Sequence, residues 1–282
     1  MKLKKLERIV THIEDLPTLP TTVLKITELI NNPKSSARDI ADIVTDDQVL
    51  TARLLKLVNS SFYGFPQKIS TVTGAIVLLG FDAIRDLLLT TSIFDVFLTK
   101  NKAIKNDLEG LWKHSLGCAV AAKVIGSYTK HDKLEELFVA GLLHDIGKVV
   151  ETLFFPDDFS RISSLVKQKR IRIVQAEEEI LGFTHADTGK LLAEQWNLPP
   201  KLVSVIANHH TAEKLTGRFI QEISIVHISD IICRALDLGS GGDNMIPPLN
   251  EQAWDILSLD TDLIYEIMEK VNREFKDLSL FV

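Results

Sequence analysis

The spacing of apolar residues limits the fold most strongly, because it follows the period of an α-helix along nearly the whole chain. Two consecutive segments, 36–47 and 48–59, each carry such a stripe: Ile40, Ile43 and Val44 in the first, then Leu50, Leu54, Leu57 and Val58 in the second. Ser35 or Ser36 is suited to cap the first helix. The alternation typical of strands is rare, so the sequence predicts an all-α, multi-helix bundle with short loops.

Glycine and proline divide this helical pattern. The breaks fall at residues 31–35, 63–68, 154–158, 198–200 and, longest, 237–250. Histidine is also unevenly distributed, since His12 is the only one of the eight histidines before residue 106. We therefore expect an N-terminal helical lobe at 1–105, a lobe with site chemistry at 106–236 and a C-terminal helical extension at 251–282.

Composition argues against several classes of protein. The net charge of −6 disfavours a non-specific nucleic-acid binder, and we expect no nucleic-acid partner. The two cysteines, Cys118 and Cys233, form no disulfide framework and suit a reducing cytoplasm, where we place the protein. The first residues lack the apolar core of a signal peptide, and no apolar run is long enough to span a bilayer, so no membrane association is expected.

The second half of the chain carries metal-ligand residue types in five separate helical segments. Each segment contributes one residue or one adjacent pair, which is how helical bundles assemble metal sites from inward-facing side chains. The candidate ligands are His114, His144, Asp145, His185, His209, His210 and Asp230. Imidazoles with carboxylates suit a divalent ion such as iron, manganese, zinc or nickel, and the pattern leaves open whether one or two ions bind.

The adjacent pair His144-Asp145 suggests a role for each residue. A carboxylate can place its two oxygens on two ions, so Asp145 is the candidate bridging ligand. Two close ions would activate water and neutralise a phosphate ester. Lys148, one helical turn after His144, is the candidate phosphate contact, although a solvated lysine or a helix C-terminal charge fits it equally well.

Several residues have simpler structural interpretations. His227 is expected to be a hydrogen-bonded core residue, and His12 and His131 are expected at the surface. For Cys118, packing among small residues is favoured over contact with a metal. The acidic run 177–179 is expected to form a solvated helix face.

These residues, in this order, resemble the HD superfamily of metal-dependent phosphohydrolases. Over about residues 10–235 the chain more closely resembles the HDOD family of bacterial signalling proteins. The first half carries this likeness in "LPTLP" (16–20), "ARDIADIVTDDQVLTARLLKLVNSSFYG" (37–64) and "ISTVTGAIVLLGFDAIRDL" (69–87). The second half carries it in "WKHS" (112–115), "GLLHDIGK" (141–148), "LGFTHADTGKLLAEQWNLP" (181–199), "NHH" (208–210) and "SD" (229–230).

The resemblance implies an all-helical fold with an N-terminal lobe and an HD-like lobe. It also implies two alternative functions. The first is a signalling or regulatory protein that acts through protein partners and keeps an HD-like His/Asp divalent-metal site. The second is an active metal-dependent phosphohydrolase with a nucleotide or other phosphoester ligand, in which Asp145 and Lys148 would be catalytic. The Gly-Tyr-Pro signature of the related HD-GYP phosphodiesterases is missing from "HHTAEKLTGRF" (209–219), so cleavage of cyclic di-GMP is not expected.

Overall fold

The computed structural model describes residues 25–26, 28–29, 34–60, 63–97, 102–210 and 217–279. Several sequence features lie outside this part of the chain. They are His12, the motif at 16–20, most of the break at 31–35 and residues 211–216 after the double histidine.

The described residues are helical and contain no strand, which confirms the predicted all-α class. In chain order the helices are α1 (Ala37–Thr45), α2 (Gln48–Val58), α3 (Val72–Leu79), α4 (Phe81–Phe97), α5 (Lys102–Tyr128), α6 (Leu134–Leu143), α7 (Ile146–Phe154), α8 (Pro156–Lys169), α9 (Ile173–Ile180), α10 (His185–Gln195), α11 (Pro200–Asn208), α12 (Ile220–Ala235), α13 (Glu251–Leu257) and α14 (Leu263–Ser279). None of these helices combines the length and the apolar character needed to cross a bilayer.

The contacts divide the chain into two compact units. One contains Phe97–Val271, and the other contains the described residues before Phe97 together with those from Asn272. The domain limits expected at residues 105 and 236 stay a prediction.

In the unit that contains α1–α3, the helix starts follow their caps. Of the two serines, Ser36 is the cap: its hydroxyl accepts from the Asp39 N–H, and Asp39 accepts in return from the Ser36 N–H. The predicted apolar stripes of α1 and α2 are buried, apart from the half-buried Ile43. Asn59 then fixes the following loop, because its amide exchanges two hydrogen bonds of 2.7 Å with the backbone of Ile69.

The unit of Phe97–Val271 is built around α6, of which every residue from 137 to 143 is buried. Helices α5 and α12 pack on α6, and α10 packs on α7 and α11. Gly141 and Gly147 permit close approaches between helices. A Cβ on Gly141 would lie 2.5 Å from the Cys118 carbonyl oxygen, and one on Gly147 would collide with the His185 carbonyl oxygen. Glycine at 147 therefore lets the start of α7 lie directly against the start of α10.

Candidate metal centre

The structure brings all seven predicted ligand residues together inside the unit of Phe97–Val271. His114 lies within α5 and Asp230 within α12, whereas the others lie at helix ends. His185 is the first residue of α10, and His209 and His210 follow the last residue of α11. Six of the seven are buried and His210 is half-buried.

The pair His144-Asp145 lies between two helices and belongs to neither of them. Helix α6 ends at Leu143 and α7 begins at Ile146. Asp145 has φ −100° and ψ 13°, outside the helical region. The break turns the Asp145 side chain between the remaining candidate ligands.

The candidate ligands form two groups joined by one carboxylate. His114, Cys118, His144 and Asp230 offer ligand atoms within 4.8 Å of one another, and so do Asp145, His185, His209 and His210. Asp145 Oδ2 lies 3.4 Å from His144 Nε2 and 3.6 Å from His114 Nε2. Asp145 Oδ1 lies 3.1 Å from His185 Nε2 and 3.5 Å from His209 Nε2. Each oxygen of Asp145 therefore faces a different group.

The hydrogen bonds of the imidazoles determine which nitrogen faces the centre. Nδ1 of His144 lies 2.7 Å from the Gly141 carbonyl oxygen, and Nδ1 of His209 lies 2.9 Å from that of Ile206. A carbonyl only accepts, so both Nδ1 atoms carry the proton. In a neutral ring Nε2 then has a free lone pair, and both Nε2 atoms point toward Asp145.

Several ligand atoms of the cluster lack good partners within the described ranges of the protein, and a bound cation would provide one. Among the described residues, His144 Nε2 and Asp145 Oδ1 are buried atoms that have no hydrogen-bond partner. In the second group, His185 Nε2 lies 3.4 Å from His209 Nε2 and 3.0 Å from His210 Nε2. Burial keeps His209 and His210 neutral by lowering their pKa values, and buried lone pairs of neutral rings that face one another cost free energy, which a divalent ion between them removes.

The two aspartates are held ionised. Burial raises the pKa of Asp145, but the neighbouring His144 and Lys148 outweigh it and hold that pKa well below its usual range. Burial likewise raises the pKa of Asp230, and Arg234 and His114 outweigh it. Both carboxylates are therefore anionic ligands at neutral pH.

The pKa values of the histidines differ both between and within the two groups. Burial lowers the pKa of His114, but Cys118 and Asp230 outweigh it and raise the pKa to about 9. Burial also lowers the pKa of His144, but Asp145 and Cys118 raise it to about 10. In the second group, burial lowers the pKa of His209 to about 4. Burial and the neighbouring His209 and His185 hold the pKa of His210 well below its usual range. Burial lowers the pKa of His185 in the second group, but the negative charge of Glu177 outweighs it and the pKa is raised. His114 and His144 of the first group thus carry protons that a metal would displace.

Lys148 is part of this centre and is not solvated. Its side chain is 1% exposed, and its Nζ donates to Asp145 Oδ2 at 2.5 Å. The alternative of a solvated lysine is wrong, because the break before α7 turns Lys148 inward against Asp145.

Glu177 belongs to the acidic run that the sequence pattern assigns to a solvated helix face, so its role was not predicted. That assignment is wrong for Glu177, which is fully buried, and it holds for the exposed Glu178 and Glu179. The oxygens of Glu177 lie 2.9 and 2.8 Å from His185 Nδ1, and Oε2 also accepts from the His185 backbone N–H. The burial of Glu177 could have been predicted from its spacing, since it lies one helical turn after Ile173 on the apolar face of α9.

Glu177 also faces a second buried acid, Glu151. Burial and the negative charge of Glu177 raise the pKa of Glu151 well above its usual range. Burial raises the pKa of Glu177 as well, but His185 outweighs it and the pKa of Glu177 is lowered. Glu151 is therefore protonated while Glu177 is ionised against His185.

Arg234 connects Asp230 to the glycine-rich segment 239–245. Its Nε donates to Asp230 Oδ1 at 2.8 Å, and its Nη1 donates to Asp243 Oδ1 at 3.1 Å. The Arg234 side chain is 7% exposed and the two carboxylates are 3% and 2% exposed. Asp243 in turn accepts from the backbone N–H groups of Ile173 and Met245. Asp230 is thus held in place by a buried chain of charges.

The structural roles expected for His227, His131 and Cys118 are confirmed for the first, wrong for the second and incomplete for the third. His227 is a hydrogen-bonded core residue as expected, with Nδ1 on the His209 carbonyl oxygen and Nε2 accepting from the Asn250 N–H. His131 is not a surface residue, because its side chain is 9% exposed and packs beside Glu222. Cys118 is buried as expected, but its Sγ also lies 3.6 Å from His114 Nε2. Packing alone therefore does not describe Cys118.

Comparison with known proteins places this geometry in context. The model of the HDOD domain family matches residues 16–212. A solved protein from Geobacter sulfurreducens, described as an HDOD domain protein with unknown function, is 29% identical and covers 100% of this chain and 98% of its own, with a TM-score of 0.83. A curated relative from Treponema pallidum (strain Nichols) is 26% identical over 230 residues, which are 81% of this chain and 44% of the relative.

Two further solved structures show the same fold. One, from Shewanella amazonensis SB2B, is provisionally described as a phosphohydrolase; it is 21% identical and covers 97% of both chains with a TM-score of 0.71. The other, from Marinobacter aquaeolei VT8, is provisionally described as a signal transduction protein. It is 23% identical and covers 99% of this chain and 64% of its own, with a TM-score of 0.77.

Proposed function

The chain belongs to the HDOD domain family, and we propose that it is a regulatory protein of signal transduction whose buried His/Asp cluster holds two divalent metal ions. The position of Asp145 carries the metal part of this proposal. Each of its oxygens faces a separate group of imidazole nitrogens, and Oδ1 has no hydrogen-bond partner in the part of the chain that the structure describes. A carboxylate in that position is suited to bridge two ions.

The chemistry of the two groups supports borderline divalent ions. His114, His144 and Asp230 would hold one ion, His185, His209 and His210 the other, with Asp145 shared between them. Imidazole and carboxylate ligands suit iron, manganese, zinc or nickel. The Glu177–His185 contact supports the same role, because metal-binding histidines commonly donate their second nitrogen to a carboxylate.

The enclosure of the first group of ligands favours regulation over turnover. The candidate ligands of the first group are at most 2% exposed, and catalytic metal sites normally keep an open position for substrate. A regulatory protein of this kind acts through other proteins, so we expect a protein partner. The description of the Marinobacter structure is consistent with this role.

The alternative is a metal-dependent phosphohydrolase that acts on a nucleotide or another phosphoester. Lys148 favours this alternative, because an ammonium group beside the bridging carboxylate can meet a phosphate oxygen. When bound, a pair of divalent ions would supply activated water and positive charge at the phosphate. Asp145 would hold the two groups together, and Lys148 would orient the ester.

A panel of phosphomonoesters and phosphodiesters separates the two functions. The protein is reconstituted with Mn²⁺, Zn²⁺ or Fe²⁺, and wild type is compared with Asp145→Asn. Regulation predicts that the two proteins release equal background amounts of product. Turnover by wild type that Asp145→Asn lacks would replace the regulatory proposal with the phosphohydrolase.

A further inference from the structure

A cavity of about 830 Å³ lies beside the metal centre, within the unit of Phe97–Val271. Helix α8 supplies one wall, α7 supplies Lys148 and Thr152, and the glycine-rich segment supplies another wall that includes Met245. Of the described residues in its lining, Lys148 also contacts a candidate metal ligand. The volume is typical of a site for a small organic molecule.

The α8 wall is a surface for an anion. Ser160, Ser163 and Lys167 line the cavity, and their spacing of three and four residues places them on one face of α8. Arg170, which follows the last residue of α8, also lines the cavity. Within the described part of the chain, Lys167 and Arg170 form no ion pair, whereas the nearby Lys169 pairs with Glu179. Two hydroxyls and two cations along this wall can donate the hydrogen bonds that a phosphate group accepts.

The acids in the lining leave this positive character in place. Asp243 is already neutralised by Arg234 and accepts from two backbone N–H groups. Asp107, an exposed residue of α5, is the other acid among the described lining residues. Against it stand Lys148, Lys167 and Arg170.

The remaining lining is apolar and suits a flat organic group. Phe159 and Ile171 contribute from the α8 side, and Met245 contributes from the glycine-rich segment. An aromatic ring with a flexible thioether nearby packs well against a planar body. The cavity therefore matches a molecule with a phosphate at one end and a planar apolar group at the other.

We propose that this cavity binds a small phosphate monoester, and that the bound ester draws Lys148 away from Asp145. Lys148 Nζ donates to Asp145 Oδ2, the oxygen that faces the first group of histidines. An ammonium group and a metal ion compete for the lone pairs of this oxygen.

A phosphate in the cavity gives Lys148 a second anionic partner, which frees Asp145 for a metal. The coupling is reciprocal, so the metal also favours the ester. This inference rests on the proposed function for its regulatory meaning, whereas ester binding does not depend on any metal.

Ester binding is tested by calorimetric titration of the full chain, after chelator treatment, with phenyl phosphate. Saturable binding is expected, tighter than that of inorganic phosphate, which lacks the ring. The double variant Lys167→Gln/Arg170→Gln should weaken phenyl phosphate binding by about tenfold or more, because charge-assisted hydrogen bonds are lost. Lys169→Gln removes a charge from the same helix outside the cavity and should change binding less than twofold. Absence of saturable binding at millimolar phenyl phosphate, or an equal loss in Lys169→Gln, would overturn the site.

The coupling is tested by Zn²⁺ affinity, measured by competition with a chromophoric chelator, with and without phenyl phosphate. Wild type should bind Zn²⁺ about fivefold or more tightly with the ester present. Lys148→Met should bind Zn²⁺ more tightly than wild type without the ester and gain nothing when it is added. If the wild-type affinity does not rise, the coupling is wrong even where the ester binds. A protein that binds no Zn²⁺ would instead contradict the proposed function. The calorimetric titration would still show whether the cavity binds the ester.

Discussion

Glu177 and His185 form a buried carboxylate–imidazole pair, with Glu177 Oε2 2.8 Å from His185 Nδ1 and 3.0 Å from the His185 backbone nitrogen. This pair fixes both the start of α10 and the orientation of the imidazole ring. His185 Nε2 is thereby directed at Asp145 Oδ1, 3.1 Å away. Metal affinity should therefore depend on an acid that touches no candidate ligand atom.

Glu177→Gln should weaken Zn²⁺ binding by about 10–100-fold, because the amide keeps the shape of the side chain but loses its charge. Competition with a chelating dye measures the change. Glu178→Gln provides the control, since Glu178 lies on the exposed face of the same helix. Equal affinities for Glu177→Gln and wild type would show that Glu177 serves the fold alone.

Arg234→Met should lower the free energy of unfolding by about 3–5 kcal/mol, because it removes the guanidinium that pairs with the buried carboxylates of both Asp230 and Asp243. Urea unfolding of the chelator-treated protein measures this loss. Arg161→Met removes an exposed pair with Asp158, in which the arginine is 68% exposed, and should cost less than about 1 kcal/mol. Similar losses in the two variants would refute the structural role of Arg234.

The stability of the metal-free protein should fall as the pH rises from about 6.5 to 10. The pKa values of His114 and His144 are raised in the folded state to about 9 and about 10, above the ordinary value of 6.5. Their stabilisation is therefore complete below pH 6.5 and is lost as the pH passes the folded pKa values. Urea unfolding at several pH values follows this loss, which should be smaller in His144→Asn. A steeper loss in that variant would refute the assignment.

Metal binding should release protons in the same pH window, since a bound metal requires neutral imidazoles. The affinity should therefore increase with pH from 6.5 upward. Calorimetry at pH 7.5 in two buffers of different ionisation enthalpy measures the release directly. Identical enthalpies in the two buffers would contradict protonated His114 and His144.

The helices and the histidine–aspartate cluster could be predicted from the sequence for different reasons. The stripe of Ile40 and Val44 reports the period of the backbone, so the start of α1 at its Ser36 cap follows from local rules. The cluster could be predicted because histidine and aspartate are costly to bury without partners, and each of five apolar segments contains at least one of them. Their convergence is a collective signal that no single residue provides.

The remaining features depend on tertiary contacts. The apolar period runs through His144-Asp145 without interruption, and the break there accompanies the close approach of Gly147 to His185. Glu177 was missed because two exposed acids follow it, and its burial depends on His185, eight residues later in the chain. Local pattern cannot show which acid of such a run meets a distant histidine.

The metal content per chain shows whether the proposed two-metal centre at Asp145 exists. Untagged protein purified without chelators is analysed by elemental mass spectrometry for iron, manganese, zinc and nickel. Wild type should contain about two equivalents, and His144→Ala/Asp145→Ala should contain none. The matched control is His131→Ala/Asp132→Ala, a second His-Asp pair outside the cluster, which should keep both ions. A wild type that stays metal-free after reconstitution with these ions, or equal metal content in the two double variants, would contradict the account.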